Sequence, residues 1–245
     1  MLKSWRRVEK IALVLIMLLG AMAVTSALMQ LRSASPEPIY FVPGRPYRVA
    51  LTFETRWSDK GLNELLEILK EEDVSASFFL TGSWLEKHPR AAARILKQGH
   101  EIGNHTLNHA VLLHLSQKEI KAELEGFNAA AKETLEYRPS LFRPPRGLYN
   151  GIVLETARQQ RCRTVLWSIE SYDYLIGPDE LNRRIKNRLH HGAIILFRVG
   201  APSLPEALPE ILAHMRKEGY RPVTVSELLK SKSGEARKAS TGENR

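Results

Sequence analysis

The chain has 245 residues, 43% of them hydrophobic, which supports one large domain with a buried core plus a leader and a tail and excludes global disorder. Its formal charge of +9 gathers at the ends, with Lys3, Arg6, Arg7 and Lys10 at the start and Lys230, Lys232, Arg237 and Lys238 in the tail; no familiar nucleic-acid module accompanies it, so no nucleic-acid partner is expected. A single cysteine, Cys162, excludes an intrachain disulfide.

Residues 11–29 carry no charge and follow a basic segment. A run of ~20 apolar residues is enough to span a bilayer. Small residues at Ala21-Met22-Ala23 or Thr25-Ser26-Ala27 also fit an export signal with a cleavage site. The basic flank predicts the N-terminus inside and the domain outside. Residues 1–31 therefore read as a signal peptide or signal anchor, 32–39 as a polar linker, 40–230 as the main domain, and 231–245 as a disordered basic tail. The expected location is the cell membrane with an extracytoplasmic domain, or outside the cell if the leader is cleaved.

Along the domain, apolar runs predict strands at 47–53, 76–80, 101–104, 141–143, 164–167, 193–197 and 222–223. Amphipathic stretches between them predict helices at 61–72, 89–98, 116–135, 151–160, 178–190 and 205–218. Ser116-x-x-Glu119 has the form of a capping box, and Gly99 and Gly219 stand where helices should stop. Strands alternating with single helices predict parallel βα units. About seven units in one domain predict an α/β fold, a distorted or incomplete (β/α) barrel, whose chemistry gathers at the C-terminal strand ends.

The polar motifs do follow the apolar runs. Leu51-Thr52-Phe53 ends in Glu54 and Thr55. Gly99-His100-Glu101-Ile102-Gly103-Asn104 leads to His105 and His109, imidazoles four apart that can meet on one face of a helical turn and share a divalent ion. His114 is a possible third ligand, with a solvent-exposed loop as its alternative. Leu141-Phe142-Arg143-Pro144-Pro145-Arg146-Gly147 offers prolines that set backbone direction and arginines that orient carboxylates or bind anions. Trp167 to Tyr174 carries Glu170 and Asp173, and Gly192 to Arg198 is an apolar strand ending in a cation.

Read together, these five segments resemble the five motifs of the polysaccharide deacetylases, the NodB-homology carbohydrate esterases, over residues 47–229 in order and spacing. The Arg-Pro-Pro-Arg-Gly form looks most like the branch acting on peptidoglycan. The resemblance implies a distorted barrel, a divalent metal (often zinc) on an Asp and two His, and hydrolysis of the acetamide of N-acetylated cell-wall polysaccharide. It assigns metal binding to His105, His109 and Thr55, and catalytic positions to Glu54, Arg143, Glu170, Asp173 and Arg198. Pro145, Arg146 and Tyr174 fall at substrate-binding positions. The chain departs from the family pattern at five of these. Glu54-Thr55 replaces Asp-Asp, Arg198 replaces a His that protonates the leaving amine, Glu170 replaces an Asp, and Tyr174 replaces a Trp. A guanidinium cannot cycle a proton at working pH, and His190 and His191 precede their strand, at its far end. Glu170 is expected to pair with Arg198. Three readings follow: an active de-N-acetylase, an impaired homologue that binds glycan or assists envelope or spore assembly, and a membrane-anchored structural component.

Overall fold

The computed structural model describes residues 16–22, 36–55 and 59–230. Residues 16–22 are helical and exposed and form part of a unit distinct from the chain after residue 36. Among the described residues no helix is long and apolar enough to cross a membrane. The remainder of the leader, the linker through residue 35 and the tail 231–245 lie outside the described residues.

In the main unit, eight strands form one parallel sheet: β1 (Arg48–Glu54), β2 (Ser77–Leu80), β3 (Glu101–Asn104), β4 (Leu141–Phe142), β5 (Arg163–Thr164), β6 (Ile169–Glu170), β7 (Ile194–Arg198) and β8 (Arg221–Val223). Their order is β5-β4-β3-β2-β1-β7-β6, with β8 also paired to β1. The connecting helices are α1 (Leu62–Glu71), α2 (Gly82–Lys87), α3 (Pro89–Lys97), α4 (Gln117–Leu135), α5 (Gly151–Gln159), α6 (Pro178–Arg188), α7 (Leu204–Lys217) and α8 (Val225–Leu229). The sheet curls into an incomplete α/β barrel, as the βα alternation predicts.

Strand alternation sorts the core into two layers. On β1, Leu51 and Phe53 face the helices, and Phe53 stacks between Phe78 of β2 and Phe197 of β7 at 5.1 and 5.5 Å, its register partners on either side. Ala50, Phe79, Leu141, Val165 and Ile194 fill a separate inner cluster. The long helix α4 starts with the expected capping box, Ser116 and Glu119 each satisfying the other's backbone N–H.

The expected single strand at 164–167 is corrected: the chain splits into β5 and β6, which lie at opposite ends of the sheet order. Only four residues separate them, so the chain itself draws the two edges together. Residues 39–42 line this seam. Ile39 donates its N–H to the Thr164 carbonyl (2.9 Å) and accepts from Leu166 (2.8 Å), while Val42 donates to the Gly192 carbonyl (2.9 Å). Edge strands otherwise expose unpaired backbone groups, and here a preceding segment satisfies them. The short helices α2 and α8, outside the predicted elements, each start on a threonine cap, Thr81 and Thr224.

Candidate functional site

Glu54 and Thr55 stand at the C-terminal end of β1, Glu54 only 6% exposed and Thr55 fully buried. A buried carboxylate needs a cation, and Arg143, immediately after β4, provides it. Its Nη1 lies 3.6 Å from Glu54 Oε1. Two further donors fix the guanidinium: Nε donates to the Val165 carbonyl (3.1 Å) and Nη2 to that of Leu166 (3.0 Å). Its face rests on Phe79, 4.0 Å from the ring centroid. Phe79 can lie there because Gly103 has no side chain; a Cβ would meet the ring at 2.5 Å. Burial pushes the Arg143 pKa down to about 10, with Glu54 and Glu170 opposing the fall, so the guanidinium stays charged at neutral pH.

His105 follows β3. Its Nδ1 lies 2.8 Å from the Arg143 carbonyl, which aims Nε2 at Glu54, 3.9 Å from Oε2. The His105 and His109 rings sit 5.0 Å apart, centre to centre. A helical turn does not bring them together, and that expectation is corrected. Residues 105–109 form an irregular loop in which Thr106 (φ 69°) and His109 (φ 58°) are left-handed. For a side-chain-bearing residue that conformation costs on the order of 1–2 kcal/mol. Two hydrogen bonds hold it: Thr106 N–H donates to Asn104 Oδ1 (2.8 Å), and His109 N–H donates to Thr106 Oγ1 (2.9 Å).

His100 and His114 lie outside this group. His100 is buried, with Nδ1 accepting from Ala76 N–H (3.2 Å), and burial lowers its pKa to about 4. His114 is exposed in a short 3-10 turn. Thr55 Oγ1 is buried without a hydrogen bond to any described residue. Among the described residues no three His, Cys, Asp or Glu side chains are arranged to hold a metal ion. Two imidazoles beside a neutral hydroxyl supply one anionic donor fewer than the Asp and two His that the family pattern implies, so a divalent ion would be held less tightly there.

At the end of β7, Arg198 is bound from three directions. Its Nη1 pairs with Glu170 Oε1 at 2.7 Å and lies 3.5 Å from Asp173 Oδ1. Its backbone N–H donates to Asp173 Oδ2 (2.7 Å), and its guanidinium stacks 4.3 Å from the Tyr174 ring centre. Burial opposes the Arg198 charge, but Glu170, aided by Glu54 and Asp173, outweighs it and raises the pKa. Asp173 is fully buried, and burial pushes it up to about 6 despite Arg198. His190 and His191 are at the other end of β7, His190 beside Ser168 (3.0 Å) and His191 accepting from Tyr47 N–H (3.0 Å). Neither approaches the Arg198 end.

These strand ends open on a cleft of about 640 Å³ whose lining includes Glu54, His109, Arg146, Glu170, Tyr174 and Arg198. The model of the family described as polysaccharide deacetylase matches residues 42–165. The chain belongs to the polysaccharide deacetylase family. A Bacillus cereus peptidoglycan-N-acetylglucosamine deacetylase is 34% identical over 198 residues, covering 78% of this chain and 92% of that one. The Bacillus subtilis protein YlxY is 34% identical over 202 residues, and the match spans 81% of this chain but only 62% of YlxY. A CE4 family pseudoenzyme from Bacillus anthracis superimposes with a TM-score of 0.77 at 33% identity, over 82% of this chain and 71% of that chain.

Within this deacetylase fold, Pro145 is buried in a 3-10 turn and is not among the residues lining the cleft, whereas Arg146 (φ 61°) is exposed and lines it. Trp167 and Lys60 also line the cleft and carry no assignment from the deacetylase motifs. Trp167 presses on Gly147, where a Cβ would meet its ring at 2.8 Å, and its position was readable only as an aromatic after an apolar run. Lys60 left no signal beyond the following glycine. Asn104 is a third omission: it ties the histidine loop to α4 through Leu124 and Asn128.

Proposed function

We propose that this protein is a catalytically impaired polysaccharide deacetylase homologue that holds N-acetylated envelope glycan in its cleft without hydrolysing it. The observation that carries the reading is the Arg198–Glu170–Asp173 cluster. Where the family pattern has an imidazole that delivers a proton, this chain has a guanidinium locked in an ion pair, and it cannot release one. Glu54 keeps a carboxylate, but it is engaged by Arg143 and extended by one methylene. A misplacement of ~1 Å in a reacting group can cost about 100-fold in rate. Zinc would be held weakly, by His105 and His109 with the neutral Thr55 in place of the usual Asp. The cleft retains what binding needs: the Tyr174 and Trp167 rings to stack on sugar faces, and Arg146 and Lys60 to donate hydrogen bonds. The Bacillus anthracis relative is described as a pseudoenzyme, and a mutant of it as having restored enzymatic activity, which supports loss and recovery of turnover on this fold. We further assign the leader to membrane anchoring, with the cleft outside the cell.

The test compares the purified protein with the triple variant Glu54→Asp, Thr55→Asp, Arg198→His. Wild type should retain N-acetylglucosamine oligomers, contain less than one zinc per chain, and release no acetate; the variant should gain zinc and acetate release. Acetate from wild type, abolished in Glu54→Gln, would overturn the proposal.

A further inference from the structure

The cleft occupies the C-terminal ends of the strands; the opposite end carries a second surface that the deacetylase motifs leave unused. Tyr47, 53% exposed and left-handed at φ 54°, precedes β1. Its ring contacts His191 at 4.7 Å and Tyr220 at 5.8 Å, and those two rings contact each other at 5.3 Å. Phe41, 47% exposed, meets His190 at 5.7 Å beside the start of β7. Single exposed aromatics are ordinary. Two such rings, one on His190 and one on the adjoining His191, place two amphipathic ring groups at one end of the barrel, and an aromatic in a left-handed position where Asn or Gly would sit more easily adds a local cost.

Cations stand around the rings. Arg221 starts β8 in register with Arg48 and donates its N–H to the Tyr47 carbonyl (2.7 Å). Helices run opposite to the strands, so α6 and α7 end on this side with Arg188 and Lys217 exposed. Glu218 acts on Tyr220, and Glu72, Asp73 and Glu227 share a cleft with Tyr220 and Arg221, Glu72 being paired to Arg216. Aromatic rings among cations match the interface of an anionic bilayer, where rings sit at headgroup level and basic side chains meet lipid phosphate.

Chain length puts a bilayer within reach. Tyr40 follows the end of the apolar run at Met29 by eleven residues, a span of at most about 40 Å.

We propose that the end of the barrel bearing Phe41, Tyr47 and Arg221 docks on the anionic leaflet in which the leader is anchored, so that the glycan cleft faces away from the membrane. This rests on reading the leader as an anchor, and the test separates the two claims. The full chain is added to vesicles of phosphatidylcholine, with and without roughly one-third phosphatidylglycerol, and flotation and peptide-level hydrogen exchange are measured on the same sample. Flotation reports the anchor. Docking predicts about tenfold slower exchange over 39–48 and 218–222 on the anionic vesicles only, with 143–148 at the cleft unchanged. Phe41→Ser with Tyr47→Asn, the latter keeping a residue tolerant of left-handed backbone, should abolish that protection while flotation persists. Arg221→Gln, a milder change, should reduce it severalfold. Flotation with identical exchange on both vesicle types overturns docking and leaves the anchor. Absence of flotation overturns both. The same protection produced by a soluble polyanion without vesicles overturns the membrane as partner.

Discussion

Asp173 shows how one residue's surroundings set its chemistry. It is fully buried, yet Arg198 offers it both a backbone N–H and a positive charge. Burial dominates and lifts its pKa to about 6. A carboxyl whose folded pKa lies above its unfolded value contributes stability that is complete below the unfolded pKa and lost as pH rises through the folded one. For Asp173 that window runs from near pH 4 to pH 6, and the stability lost by neutral pH is on the order of 3 kcal/mol. Asp173→Asn should keep an acceptor for the Arg198 N–H but lose the titration. Its melting temperature relative to wild type is expected to rise between pH 4 and pH 7. A difference that stays flat would show that Asp173 is ionised throughout. His100 acts in the opposite direction over nearly the same range, because its folded pKa is lowered to about 4 and stability grows as pH rises toward 6.5. In the Asn variant the His100 slope should no longer be offset by Asp173. Of the site residues, Glu54, His105 and Arg198 were legible as polar groups after apolar runs. Their partners were less so, since Arg143 reaches Glu54 only because β3 and β4 fold alongside β1 and β2.

At the level of elements, the Arg143 support depends on two strands meeting closely. Phe79 on β2 lies over Gly103 on β3, its register partner, and carries the guanidinium on its other face. A methyl at residue 103 would stand 2.5 Å from the ring, so the buried Phe79 side chain would have to shift. Overpacking of this kind typically costs about 1–3 kcal/mol. Gly103→Ala should therefore destabilise by about 2 kcal/mol in a denaturant titration and displace Arg143, weakening glycan retention as well. Full stability in that variant would mean the Phe79 ring has another place to go. The glycine was visible within the histidine motif, but its reason was not, because the atom that excludes a side chain comes from another strand.

For the main unit as a whole, the seam decides whether the curled sheet has bare edges. Ile39 packs on the inner cluster containing Val165 and makes two backbone hydrogen bonds across the gap. Ile39→Ala should cost about 1–2 kcal/mol through lost burial alone. Ile39→Pro also removes the N–H that reaches Thr164, and it should destabilise further and speed hydrogen exchange at the Leu166 amide. Equal stability of the two variants would show that the seam bond contributes nothing.

The amino-acid pattern alone determined the alternation of strand and helix, the parallel barrel class and the placement of polar residues at strand ends. Those features are written in periodicities of two and 3.6 along neighbouring residues. It also showed that Arg198 and Thr55 depart from the deacetylase motifs, since residue identity needs no coordinates. Tertiary structure decided the rest: the split of 163–170 across two edges, the left-handed loop that joins His105 to His109, and the burial of His100 away from the site. It also decided the clasp of Arg198 by Glu170 and Asp173. Each depends on which strand ends become neighbours, a matter of sheet order rather than local sequence, and through-space contact is what turns a set of polar residues into a site.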